Sequence, residues 1–285
     1  MSAEVARDSN ASQPARHGAA SGTRRPLAAR LRASAIHLAI SATVALTLIL
    51  AVTNVWYPSP LFELAQGRDI FLLMIGCDIT LGPLMTLIIF NIRKPRAELV
   101  RDLAIIGTVQ LAAMAYGLFA LLVTRPAYIV YNVGRFNVPL ANELIAGTEK
   151  GAEAQSVRAP WFGPLLVGAR LPQETEERDR LLFSAVQGRG DVFQIPRYFV
   201  PYSDVQHEAA SRAKPADALA KELHLDPARV QSAVANYTPP GANVGFLPFV
   251  IRQTMAIAVV RLPDGEFLGI APLPPSDLVS GPHAG

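Results

Sequence analysis

Asp78 lies in the middle of an apolar run, Ile70 to Phe90, where an acid is expensive. If that run crosses a bilayer, a charged carboxylate at its centre costs ~2.5 kcal/mol or more. Asp78 should therefore face a partner helix, be protonated, or both. Depth narrows the partners. At ~1.5 Å per residue in a ~30 Å hydrocarbon core, Asp78 sits ~18 Å above the inner face. Thr43 and Thr47 of the preceding apolar run sit ~15 and ~21 Å up, and Gln110 of the following run ~10 Å up. These three are the expected hydrogen-bond partners. His37, ~6 Å up, reads as too low for a simple Asp–His pair. Gly82 and Pro83 follow Asp78 by about one turn and permit a kink or a close helix approach. Two roles are open to Asp78: a polar clasp between helices, or direct engagement of another protein.

Two further groups carry possible chemistry. His37 stands four residues before Ser41, on the same helix face, and is either an interfacial residue or a functional one. Gly107, Gln110, Met114 and Gly117 form one face of the third run. Small residues at that spacing let helices approach closely, within this chain or against another protein.

Three apolar runs must position these groups: Ala33 to Val55, Ile70 to Phe90, and Leu103 to Val123. At ~1.5 Å per residue each spans roughly 30 Å or slightly more, which is enough to cross a bilayer. The chain is 51% hydrophobic and only 17% charged, a balance tilted away from soluble globular proteins. Arg24, Arg25, Arg30 and Arg32 precede the first run, and Arg93, Lys94, Arg96 and Arg101 lie between the second and third. The loop between the first and second holds only Arg68, beside Glu63 and Asp69. The excess of Lys and Arg puts the N-terminus and the second loop in the cytoplasm, and everything after Arg125 outside, in the periplasm of a bacterium. Trp56 and Tyr57 stand where an interfacial aromatic belt is expected.

The expected fold class is a membrane protein with three N-terminal transmembrane α-helices followed by an α+β extracytoplasmic domain. Residues 1–30, rich in Ser, Ala, Arg and Gly, read as a disordered cytoplasmic tail. Residues 31–125 hold the helices (33–55, 70–90, 103–123), and 126–285 form the outer domain. In that domain Ala127 to Val133 reads as a strand, Pro164 to Ala169 as a second, and Gln173 to Gln187 as a helix with charges along one face. Asp226 followed by Pro227 starts a helix running to about Tyr237. Thr254 to Arg261 and Phe267 to Ala271 flank Pro263-Asp264-Gly265 as antiparallel hairpin strands. Residues 145–160 and 272–285 read as loop and tail.

Enzyme signatures are missing from the sequence. It contains no GxSxG, HExxH or GxxxxGK pattern. His207, His224 and His283 have no metal-ligand spacing, and the lone cysteine, Cys77, accompanies none of them. No catalytic, cofactor or metal site is expected, and no basic stripe suggests nucleic acid. The acidic run Glu174, Glu176, Glu177, Asp179 reads as a solvated helix face. A transporter or membrane enzyme built on Asp78 would want more helices or a second carboxylate. An extracytoplasmic ligand sensor would need a partner protein for its output, since only a tail and a short loop face the cytoplasm.

From Leu31 the chain resembles the type IV pilin accessory protein family. The resemblance is carried by Trp56-Tyr57-Pro58, Asp78 with Leu81-Gly82-Pro83, Asn91 through Lys94 and Pro95, Gln110, Tyr116-Gly117, and Arg125-Pro126 leading into Tyr128. It covers roughly residues 31–140 well and the rest loosely, mainly at Pro263-Asp264-Gly265. The long N-terminal extension departs from the family's usual short start. The resemblance implies a non-enzymatic, chaperone-like inner-membrane protein that assists assembly and surface display of type IV pili. Its implied partners are the major pilin and other pilus-assembly proteins. Pilins carry an acidic residue near the inner start of their membrane helix, and His37 lies at about that level.

Overall fold

The computed structural model describes residues 24–90, 94–147 and 157–273. The expected tail up to residue 23, the loop residues Asn91 to Arg93, most of the 145–160 loop, and the C-terminal tail with His283 lie outside the described residues. Three long helices come first: α1 (Arg24–Val55), α3 (Gly67–Ile89) and α4 (Arg96–Val123), with a single-turn helix α2 (Leu61–Leu64) between the first two. All three long helices are long and apolar enough to cross a membrane. Both α1 and α4 start earlier than their apolar runs. Residues 24–30, expected in the disordered tail, are helical, and α4 begins directly after Pro95. Apolar runs mark where a helix meets hydrocarbon. The helix itself continues until a proline, a cap or the next loop stops it.

α1 and α3 are joined by a tight loop. Gln66 takes a left-handed conformation (φ 61°) just before α3, and Tyr57, Phe62 and Phe71 stack edge to face, with centroids 5.7 and 6.1 Å apart. Trp56 is half-buried, and Tyr57, at 1% exposure, lies inside the protein rather than in an interfacial belt.

After α4 the chain builds a seven-stranded mixed sheet in the order β4-β3-β1-β2-β5-β6-β7. Its strands are β1 (Tyr128–Asn132), β2 (Arg135–Asn137), β3 (Leu165–Ala169), β4 (Phe199–Pro201), β5 (Val244–Ile251), β6 (Thr254–Arg261) and β7 (Phe267–Pro272). β1 and β3 run parallel, Val130 opposite Val167. The β6–β7 hairpin is antiparallel, Ala258 opposite Ile270. The fold class is thus a membrane protein of three apolar helices followed by an α+β domain.

Alternation along the strands gives the sheet two buried faces. On one, Ile129, Tyr131, Phe136, Phe249, Ala256 and Ala258 pack with Tyr202, Val205 and α6 (Gln206–Arg212). That cluster continues without a break into Tyr57, Leu61, Phe71 and Leu121, so sheet and helix ends share one core. On the other face, α5 (Thr175–Val186) buries Leu181 against Val130 and Ala169. α7 (Ala216–Glu222) and α8 (Pro227–Ala235) cover Ile257 and Val259. α8 starts as its sequence suggests: the Asp226 carboxylate accepts from the Ala228 N–H at 3.0 Å, with Pro227 in the first turn.

Candidate functional site: a polar cluster between the membrane helices

α3 is the central helix, packed against α1 on one side and α4 on the other. The contact with α1 is made by polar side chains. Ser34 Oγ donates to the Pro83 carbonyl at 2.8 Å, and His37 Nδ1 pairs with Thr86 Oγ1 at 2.7 Å. Thr86 is 2% exposed, so each partner satisfies the other away from water. Serine and threonine suit this position, because their short hydroxyls bond across helices without holding them apart.

The contact with α4 centres on Gln110. Its Nε2 donates to the Asp78 carbonyl at 3.3 Å. Gly82 makes this possible. A methyl group at that position would overlap Gln110 Nε2 and stand 3.0 Å from His37 Nε2. The missing side chain is therefore a notch in α3 into which α1 sends an imidazole and α4 an amide. Gly117 is a second notch: a methyl there would overlap the Met74 sulfur and stand 2.8 Å from its Cγ. Gly107 is different, having open space around it.

Above the notch α1 and α4 part, leaving a half-open cavity of about 200 Å³. His37 and Ser41 line it from α1, Asp78 from α3, and Gly107, Gln110 and Met114 from α4. With no side chain at Gly107, the wall on that side stays open. The cavity brings a carboxyl, an imidazole, an amide and a hydroxyl to one place inside the apolar bundle. The surface that the cavity exposes is nonetheless almost entirely apolar.

One expectation needs correction. Thr43 and Thr47 do not reach Asp78. Each donates back to a carbonyl one turn earlier, Ala39 at 2.8 Å and Thr43 at 2.9 Å, and both are exposed on the outer face of α1. His37 lies level with Gly82, about one turn (~6 Å) along α3 from Asp78; it borders the same cavity but pairs with Thr86 and not with Asp78, as its depth suggested. A depth count fixes height but not which face of α1 a side chain occupies. Thr86 and Ser34 went unnoticed in the sequence because a hydroxyl in an apolar run carries no signal until its partner is known.

The C-terminal ends of α1 and α4 carry a second polar cluster. Tyr57 Oη donates to the Leu121 carbonyl at 2.9 Å, and burial raises the pKa of its hydroxyl. Arg125, 8% exposed, donates to the carbonyls of Leu122, Ala159 and Pro160. The Gly163 N–H donates to the Val55 carbonyl at 2.7 Å.

The model of the fimbrial assembly protein FimB family matches residues 25–66, which run from the start of α1 through the loop before α3. The fimbrial assembly protein of serogroup I from Dichelobacter nodosus is 30% identical over 80% of this chain and 88% of its own length. The chain belongs to the fimbrial assembly protein family. The serogroup E1 protein of the same organism is 29% identical over the same shares. The serogroups C1 and C2 protein is 33% identical over 37% of this chain and 80% of its own length. No solved structure matches. The two long matches span far more than the membrane helices, so the family relationship extends into the sheet domain.

Proposed function

We propose that this protein assists pilus assembly without catalysis, by holding pilin subunits in the bacterial inner membrane through the cavity between α1 and α4. The names of its relatives support a role in fimbrial assembly. The observation that carries the finer reading is the half-open cavity with Asp78, His37 and Gln110 on its walls. A bundle needing these groups only as an internal clasp would close over them. Asp78, His37 and Gln110 are each half-buried rather than closed over, within reach of a membrane helix that docks at the cavity mouth. The Arg and Lys residues flanking the runs support an N-terminus in the cytoplasm and the sheet domain in the periplasm.

In that orientation the sheet domain stands beside the head of a subunit anchored in the same membrane. α5 offers it an apolar surface: Leu182, Phe183 and Val186 are 50%, 69% and 88% exposed. Helper and client would then touch in the membrane and outside it.

An in-frame deletion in the native host tests the role. Fewer surface pili with pilin still present in the inner membrane is the expected result. Unchanged piliation and twitching would refute it. Asp78→Asn and His37→Ala then test the cavity. Each should lower piliation while the protein stays at wild-type abundance, and normal piliation in both would remove the cavity from the mechanism.

A further inference from the structure

Trp161 and Phe162 are 66% and 76% exposed, unusual for two adjacent large aromatic residues. They form the tip of a short finger fixed at its base on both sides. Before the tip, the carbonyls of Ala159 and Pro160 accept from Arg125, two residues past the end of α4. After it, the Gly163 N–H donates to the carbonyl of Val55, the last residue of α1. The Arg125 guanidinium lies 5.9 Å from the centre of the Trp161 ring. The finger is therefore tied to the same ends of two membrane-crossing helices, and its position relative to the bilayer follows from theirs. Leu165, where β3 begins, adds a third exposed apolar side chain at 49%.

We propose that Trp161 and Phe162 insert into the interfacial layer of the bilayer leaflet at the outer ends of α1 and α4, anchoring the base of the sheet domain to lipid. This rests on the reading that the three helices cross the membrane. The occupant follows from continuity: where α1 and α4 leave the hydrocarbon, headgroups already surround them, and the finger is bonded to both ends. Indole suits that layer, with an apolar ring for the acyl boundary and an N–H for the headgroups. Of the expected belt residues, Tyr57 is in the protein core and Trp56 is half-buried against it, so the finger presents the more exposed aromatic pair to the interface.

The sequence has two tryptophans, so Trp56→Phe leaves Trp161 as the sole indole. The full-length variant is reconstituted in phosphatidylcholine vesicles containing nitroxide-labelled lipids, with the label near the headgroup or near the chain end. A fluorescent probe on Cys77, the single cysteine, exposed midway along α3, reports whether the helices span. The expected result is Trp161 emission quenched several-fold more by the headgroup-proximal label than by the deep one, and weakly by aqueous iodide. The Cys77 probe should show the opposite depth preference. If Cys77 is quenched by deep labels while Trp161 responds only to iodide, the finger faces water and the proposal falls, with the membrane reading intact. If Trp161 is shielded from both quenchers, a protein surface covers it, which also overturns the proposal. If the lipid labels leave Cys77 unquenched, the spanning reading fails and the proposal fails with it. Should Trp56→Phe misfold, subtracting the emission of Trp161→Phe from that of the wild type isolates the same signal.

Discussion

Gly82→Ala isolates the central contact of the bundle. A methyl group at this position overlaps Gln110 Nε2 and crowds His37 Nε2. The nearest atom is the end of a flexible side chain, so the backbone need not move. The amide must swing away, and the Gln110–Asp78 bond is lost. Overpacking a tight site costs ~1–3 kcal/mol, and an interhelical hydrogen bond in a membrane protein is worth about 0.6 kcal/mol on average and ~1.7 at most. Gly82→Ala should therefore destabilise by ~1–3 kcal/mol, and Gln110→Ala by about 1. In the double variant the methyl enters space that Gln110 has vacated. The combined cost should fall below the sum of the single costs by at least ~0.5 kcal/mol, the lower end of coupling between residues in contact. The assay is a four-member SDS-unfolding cycle in mixed micelles, followed by far-UV circular dichroism. Strict additivity would refute the reasoning, since the two residues would then not share the notch.

The two glycines of α4 should behave oppositely: Gly117→Val must displace Met74 and lower the unfolding midpoint, whereas Gly107→Ala, with open space around it, should change stability by ~0.5 kcal/mol or less. Both are read in the same micelle assay. Gly265 has φ +80° and a β-carbon there would overlap the Gln206 backbone, while its carbonyl accepts from Tyr202 Oη at 2.7 Å. Gly265→Ala should cost the outer domain about 2 kcal/mol or more, and Tyr202→Phe about 1, both seen as lower thermal midpoints. Burial, and then the Glu208 carboxylate, pushes the Tyr131 hydroxyl up to about 12 from 10.0. The unfolded phenol then loses its proton first, so stability holds below pH ~10 and declines between there and about 12. Phenolate absorbance during alkaline unfolding checks this, and Tyr131→Phe should flatten the decline. Val186→Cys on the exposed face of α5 should crosslink to pilin in host membranes if that face meets the subunit head. Crosslinks confined to lipid or to this chain would oppose it.

The membrane-crossing helices were legible because their signal is additive: many apolar residues in a row outweigh any single exception. Elements with local chemistry were legible too, such as α8 with its Asp226-Pro227 start and the β6–β7 hairpin around Pro263-Asp264-Gly265. β5 was not, although it is central and eight residues long. Gly245 and Pro248 read as breakers inside it. The sheet accommodates the proline because β2 pairs with β5 only at Phe249 and Val250, leaving Pro248 outside that short ladder. At the site, Asp78, Gln110 and Gly82 announce themselves as a polar residue or a gap in an apolar context. Which atoms meet depends on the offset between helices, and small differences in side-chain packing decide that. Thr43 and Thr47 satisfy their hydroxyls on their own helix, an option open to any membrane threonine.

The joint between bundle and sheet domain fixes how the two can act together. The carbonyls at the end of α4 have no helical partners of their own. Here Leu121 receives the Tyr57 hydroxyl and Leu122 the Arg125 guanidinium. Arg125 also binds the base of the aromatic finger, and the finger binds the end of α1. One continuous apolar cluster runs beneath these bonds, from Phe71 in α3 to Phe249 in the sheet. Rotating the outer domain relative to the helices would strand several buried donors and acceptors at once, each costing ~1–3 kcal/mol. The cavity in the membrane and the exposed face of α5 are therefore held in a fixed relation. A client engaged at both pays for its alignment once, on binding, and the second contact forms at the high effective concentration that a rigid spacing provides. Under the function proposed above, weak contacts at each end then suffice to hold a pilin subunit and still let it go.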